Sequence, residues 1–93
     1  MILELADFHT PDPDDFPAAI AEVGPVLAAS RGYLGHDVYH GIESPDRFVL
    51  LVRWESVDAH HTFRQSAAFD VWKERMAIHR TGIVVEHFAP LPG

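Results

Sequence analysis

One stretch of the sequence decides the fold: Arg47-Phe-Val-Leu-Leu-Val-Arg-Trp54-Glu-Ser-Val-Asp-Ala-His60-His-Thr-Phe63-Arg-Gln-Ser66. Its first part, residues 48–52, is apolar at every position, which is typical of a strand buried on both faces. Its second part predicts a helix from Val57 to about His79, divided where Ser66 caps a second helical segment. Helices can cover one face of such a strand. In so short a chain, we expect the sheet of a partner subunit to cover the other.

Periodicity and turn residues predict the remaining elements. We expect a first helix that begins near Phe16 and ends at Gly32, and strands at residues 2–9, 33–42, 48–54 and 83–88. With right-handed crossovers, the order βαββαβ gives an α+β, ferredoxin-like fold, in which a four-stranded antiparallel sheet carries both helices on one face. The uncovered face of that sheet predicts a homodimer packed sheet to sheet.

Composition restricts the class of function. The chain has 93 residues, enough for one domain spanning residues 1–93. Its net charge of −7 repels phosphate backbones and anionic lipids, so we expect no nucleic-acid or membrane partner. It has no cysteine, which excludes disulfides and thiolate metal sites. No apolar stretch approaches the roughly 20 residues that span a bilayer. The first residues lack the basic start of a signal peptide, so we expect a cytoplasmic protein.

Five motifs, spread over nearly the whole chain, carry a family resemblance. They are Gly32-Tyr-Leu-Gly35, Ser44-Pro-Asp-Arg-Phe-Val49, the Trp54–Ser66 segment, Phe69-Asp-Val-Trp72 and Val85-Glu-His-Phe88. Together they resemble the antibiotic biosynthesis monooxygenase domain family, whose members form dimeric α/β barrels. The family includes cofactor-free oxygenases of polyketide phenols and haem-degrading enzymes, so the resemblance implies the fold more specifically than the reaction.

Carrying the family's roles onto this chain disfavours haem chemistry. Haem-degrading members use an Asn on the first strand, a Trp in the second helix and a haem-ligating His further along it. These places fall here near Asp7, on Phe63 and near Lys73, and the chain contains no asparagine. The resemblance therefore implies that no haem or other cofactor is bound. Many members place a His at the position of Phe63. In this chain an imidazole stands three residues earlier, at His60, on roughly the same helix face.

The resulting site hypothesis centres on His60. The resemblance implies a cofactor-independent monooxygenase for a small aromatic or polyketide-like substrate, in which the protein removes a phenolic or enolic proton and the carbanion reduces oxygen directly. His60 is the candidate base, and the candidate substrate-binding aromatic residues are Phe63, Phe69, Trp72 and Trp54. A partly buried His60 bound to a backbone carbonyl is the structural alternative. The alternative function is a non-catalytic small-molecule-binding or stress-related barrel.

Other polar residues indicate no metal site. His36 and His40 lie on one strand face with alpha carbons roughly 13 Å apart, too far to share an ion easily. The acidic run before the first helix lacks the glycine turn of a calcium loop, and we expect Asp14 or Asp15 to cap that helix instead. Arg53 and Arg64 are the cations that could point inward, but we expect Arg53, beside Trp54, to pair with Glu55 or Asp58 at the surface instead.

Overall fold

The computed structural model describes residues 1–93 and contains the predicted order of elements. The strands are β1 (Ile2–His9), β2 (Tyr33–His40), β3 (Arg47–Trp54) and β4 (Val84–Phe88). The helices are α1 (Phe16–Ala28), α2 (Val57–Arg64) and α3 (Ala67–Met76), followed by a 3₁₀ turn at Ala77–His79. The sheet is antiparallel in the order β2-β3-β1-β4. The ferredoxin-like prediction is confirmed. None of the helices is both long and apolar enough to cross a membrane.

The two faces of β3 have different surroundings. Every second residue, from Phe48 to Trp54, is buried beneath the helices, whereas Val49 and Leu51 on the opposite face are only partly buried. The same alternation in β1 turns Glu4, Ala6 and Phe8 towards the helices. A single chain therefore covers one face of its sheet, and the homodimer remains a prediction.

Two serines fix where the helices after β3 begin. Ser56 Oγ accepts a hydrogen bond from the backbone N–H of Ala59 at 3.1 Å, and Ser66 Oγ accepts one from Phe69 at 3.3 Å. Each serine provides a partner for a backbone donor that the helix leaves free. The predicted Ser66 cap is confirmed. The break also brings the rings of Phe63 and Phe69 to a centroid separation of 5.4 Å.

Asp15 occupies the N-cap position of α1, but the prediction that its side chain caps the helix is wrong. Its carboxylate accepts two hydrogen bonds from Arg75, at 2.9 and 3.0 Å, and lies 2.9 Å from Nε2 of the fully buried His79. A guanidinium offers stronger, charge-assisted bonds than a backbone N–H does. Asp15 therefore joins the start of α1 to the end of α3.

Gly32 allows β2 to begin tightly against α2. Its φ of +86° lies in the left-handed region, and a Cβ built on it would come 2.6 Å from the Cβ of Ala59. Its carbonyl also accepts a hydrogen bond from the Glu55 backbone N–H at 2.8 Å. This contact positions the first turn of α2, the helix that carries His60.

Candidate functional site

A cavity of about 250 Å³ lies between the helix-covered face of the sheet and helices α2 and α3. Its walls are mainly apolar, as in most small-molecule sites. Ten of its fourteen lining residues are hydrophobic, and the four polar ones are Glu4, His60, Arg64 and Arg80. This combination suits an aromatic ligand with a few polar groups.

The structure brings most of the predicted site residues to this cavity. His60, Phe63, Phe69 and Trp72 all line it, and the Phe63 ring lies edge-on to both Phe69 and Trp72. Trp54 is fully buried and is not among the lining residues. Its indole stacks on the imidazole of His60 at a centroid distance of 5.3 Å. Any effect of Trp54 on a ligand is therefore indirect.

Glu4 is the central polar group of the cavity. It is only 7% exposed, and its Oε1 accepts a hydrogen bond from Nε1 of Trp54 at 2.9 Å. Nε2 of His60 lies 3.2 Å from the same oxygen. Glu4 Oε2 has no hydrogen-bond partner within the chain, and no fully buried polar side-chain atom is left without one. Oε2 is therefore accessible from the cavity that Glu4 lines.

Both ring nitrogens of His60 have partners. Nδ1 lies 2.8 Å from Nε2 of His87 on β4, and Nε2 faces Glu4. Because Glu4 Oε1 can only accept when the carboxyl is ionised, we assign the proton of His60 to Nε2. Nδ1 then accepts from the Nε2–H of His87. One hydrogen bond, from His87 to His60, and one polar contact of 3.2 Å, between His60 and Glu4, thus connect the exposed His87 with the buried carboxylate of Glu4.

Burial acts in opposite directions on the two central pKa values. It raises the pKa of Glu4, although the hydrogen bond from Trp54 and the charge of Arg64 oppose it. Burial lowers the pKa of His60 to about 4, with further lowering from the neighbouring His87, Arg64 and His61. These shifts make the Glu4 carboxylate a stronger base than a free carboxylate and the His60 imidazole a weaker base than a free imidazole. Burial therefore moves basicity from His60 towards Glu4.

Sequence reasoning missed Glu4, His87 and Arg80. Glu4 could have been identified from its position in β1. It precedes Ala6 by two residues and Phe8 by four, so all three side chains point to the same, inward face. The cross-strand register that sets His87 opposite Glu4 could not be read from the sequence. His36 and His40 lie outside this cavity: His36 contacts the Tyr33 hydroxyl, and His40 contacts the carbonyl of Pro45. No group of three or more His, Asp or Glu side chains is arranged to hold a metal.

The sheet, its helices and this cavity define a ferredoxin-like α+β domain built around a ligand-sized site. The model of the antibiotic biosynthesis monooxygenase family matches residues 6–75, and the chain belongs to that family. Three proteins illustrate the range of its relatives. A proposed antibiotic biosynthesis monooxygenase from Bordetella bronchiseptica is 33% identical, with a TM-score of 0.90 over 98% of this chain and 97% of that one.

The other two relatives are more distant. The uncharacterised protein YczJ of Bacillus subtilis is 29% identical over 95% of this chain and 97% of its own length. SnoaB, a cofactor-independent oxygenase from Streptomyces nogalater, has a TM-score of 0.83 at 16% identity, covering 99% of this chain and 94% of its own. At that identity the likeness to SnoaB shows a shared fold.

Proposed function

We propose that the protein is a cofactor-independent monooxygenase acting on a small aromatic phenol or enol. The observation that supports this most strongly is the Glu4 carboxylate, which opens into an apolar, aromatic cavity while His60 and Trp54 hold its other oxygen. Family membership and the chemistry of SnoaB support the same reaction class. The cavity exceeds the ~150 Å³ that takes up benzene in an engineered protein core, so it has room for a small fused-ring ligand.

In the proposed reaction, Glu4 Oε2 accepts a proton from a CH₂ group that the phenol or its keto tautomer activates. The carbanion passes electrons to O₂ and forms a C–O bond, and the proton returns to give a hydroperoxide. Loss of water, with the second hydrogen of the same carbon, leaves a carbonyl. One oxygen atom enters the product, the other becomes water, and the substrate supplies all four electrons.

The neighbouring side chains have separate proposed tasks. His60 holds the Glu4 carboxylate through its Nε2–H and keeps Oε2 facing the substrate. Phe63, Phe69 and Trp72 enclose the aromatic ring. Placing a base against the acidic carbon in a mainly apolar site contributes to catalysis by orientation.

We further propose that the protein is a homodimer, in which the open sheet face packs against its copy. The apolar side chains of this face are Leu3, Leu5, Val49 and Leu51 in the central strands and Val84 and Phe88 in β4. An open apolar sheet face of this kind is a typical association surface. Light scattering should give twice the mass of one chain, and a monomer at micromolar concentration would contradict the dimer.

Oxygen uptake tests the proposed reaction. Wild-type protein mixed with an anthrone-like phenol should consume one O₂ for each quinone formed. Glu4→Gln keeps an acceptor for Trp54 but cannot take a proton, so it should lower kcat by about 10² to 10⁴. Glu43→Gln, in the exposed turn after β2, is the matched control and should match the wild type. Binding without oxygen uptake would instead favour a non-catalytic binding protein.

A further inference from the structure

Two arginines line the cavity without a neutralising partner. Arg64 and Arg80 both contribute to its wall, yet neither guanidinium has a carboxylate oxygen within 4.0 Å or a hydrogen-bond acceptor within the chain. The other cations, apart from the exposed Arg31, form ion pairs: Arg47 with Asp7, Arg53 with Asp37, Lys73 with Asp70 and Arg75 with Asp15. Because the chain has twice as many acids as bases, a shortage of acids does not explain why both arginines of the cavity lack a partner.

Both guanidinium groups lie near the ring of Phe69. The Cζ atoms of Arg64 and Arg80 are 5.9 and 5.4 Å from the centroid of the Phe69 ring. Burial lowers the pKa of Arg80, and the like charge of Arg64 lowers it further. Arg64 is exposed and Arg80 is half-buried, and their like charges repel each other until an anion joins them.

We propose that Arg64 and Arg80 bind an anionic group, a carboxylate or a phosphate monoester, carried by the aromatic ligand of this cavity. The binding of this ligand is inferred from the cavity alone. Its reaction rests on the proposed function. Guanidinium groups match both anions with paired hydrogen bonds, and the Phe69 ring offers the aromatic part a surface next to them. The substrate class is therefore an aromatic acid or aromatic phosphate.

The position of Arg64 connects this anion to the proposed base. Arg64 follows His60 by four residues, one helical turn along α2. Its charge lowers the pKa values of Glu4 and His60, which makes both groups weaker bases. An anion paired with Arg64 offsets that charge. A bound anionic substrate would thus strengthen the base that acts on it.

Calorimetry with matched naphthalene probes tests the anion site. The probes are 2-naphthoate, 2-naphthyl phosphate, the neutral methyl 2-naphthoate and inorganic phosphate. We expect at least one anionic naphthalene to bind about tenfold or more tightly than the methyl ester, corresponding to the formation of one charge-assisted hydrogen bond. The anion that binds more tightly identifies the natural anionic group.

The proposal would be overturned if the methyl ester bound as tightly as both anionic naphthalenes, or if none of the naphthalenes bound. If inorganic phosphate bound as tightly as 2-naphthyl phosphate, the proposed contact between the cavity and the aromatic part of the ligand would be overturned.

Three variants assign the effect to the cavity. Arg64→Gln and Arg80→Gln should each lower the affinity for the anion about tenfold and leave that for the methyl ester unchanged. Arg31→Gln removes an unpaired arginine that does not line the cavity, and should bind as the wild type does. If Arg80→Gln does not fold, Arg80→Lys keeps the charge and should retain part of the affinity. Equal anion affinity in Arg64→Gln, Arg80→Gln and Arg31→Gln would overturn the assignment.

The same probes separate the two proposals. Tight binding of the anion by a protein that consumes no oxygen with any phenol would leave the anion site standing and remove the monooxygenase. The opposite result is oxygen uptake whose rate changes neither with an acidic substituent on the substrate nor in Arg64→Gln. That result would support the monooxygenase and remove the anion site.

Discussion

Nε2 of His60 lies 3.2 Å from Oε1 of Glu4, and both side chains are at least nine-tenths buried. Burial weakens the imidazole as a base and strengthens the carboxylate. A neutral His60 can then orient the carboxylate. These two opposite pKa shifts lead to the first two predictions.

The rate of oxygen uptake should depend on pH through Glu4. The carboxylate must be ionised to accept a proton, so kcat/KM should fall as the pH drops through the raised pKa of Glu4, above its ordinary 4.5. Trp54→Phe removes a hydrogen bond that lowers this pKa, so the acid limb should move to higher pH. An acid limb below pH 4.5, or one that Trp54→Phe leaves in place, would contradict the role of Glu4.

His60 should make folding stability depend on pH. Its folded-state pKa of about 4 lies below the ordinary value of 6.5, so the unfolded chain binds more protons between these two values. The contribution of His60 to the free energy of unfolding should therefore become less favourable as the pH falls from 6.5 to 4. Urea unfolding of the wild type and His60→Leu at pH 7, 5 and 4 measures this. His9→Gln, which changes an exposed imidazole, is the control. If the difference in unfolding free energy between the wild type and His60→Leu does not vary with pH, the predicted contribution of His60 would be contradicted.

Asp15 should contribute stability that is also lost as the pH falls, but over a lower pH range than that of His60. Its hydrogen bonds from Arg75 and His79 lower its pKa from 3.8 to about 2. The stabilisation is therefore present above pH 4 and is lost as the pH falls towards 2. Asp15→Asn should lower the urea midpoint at pH 7 and have less effect at pH 2. Asp14→Asn, at the exposed neighbouring position, should have little effect at either pH.

Two glycines with the same backbone conformation should respond differently to a methyl group. Gly32 and Gly82 have φ values of +86° and +74°. A Cβ at Gly82 meets nothing within 4 Å, so Gly82→Ala should cost only the roughly 1–2 kcal/mol of the left-handed conformation. Gly32→Ala should cost more, because its methyl would overlap Ala59 on the helix that carries His60. Equal unfolding free energies for the two variants would contradict the steric explanation.

The sequence predicted the fold well because its signals are local. The apolar run at residues 48–52, the Ser66 cap and the left-handed Gly32 each determine a feature within a few residues of themselves. The same holds for Phe69 and Trp72, whose helical spacing placed them on one face, whereas the family resemblance of the Trp54–Ser66 segment identified Phe63.

The polar part of the site could not be predicted in this way because it depends on contacts distant in sequence. Glu4 meets Trp54 fifty residues away, and His60 meets His87 across twenty-seven. Asp15 failed as a predicted cap for the same reason, since its partner Arg75 lies sixty residues further along the chain. Helical periodicity identifies an inward-facing histidine, but it cannot tell which carboxylate that histidine will meet.

Anaerobic mixing of the protein with an anthrone-like phenol tests whether Glu4 is the base, because it separates proton removal from the reaction with oxygen. The wild type should produce the visible absorbance of the bound enolate, which should decay once air is admitted, with one O₂ consumed per enolate. Glu43→Gln should behave in the same way, and Glu4→Gln should give no enolate band. A wild type that forms no enolate, or a Glu4→Gln variant that forms as much as the wild type, would contradict Glu4 as the base.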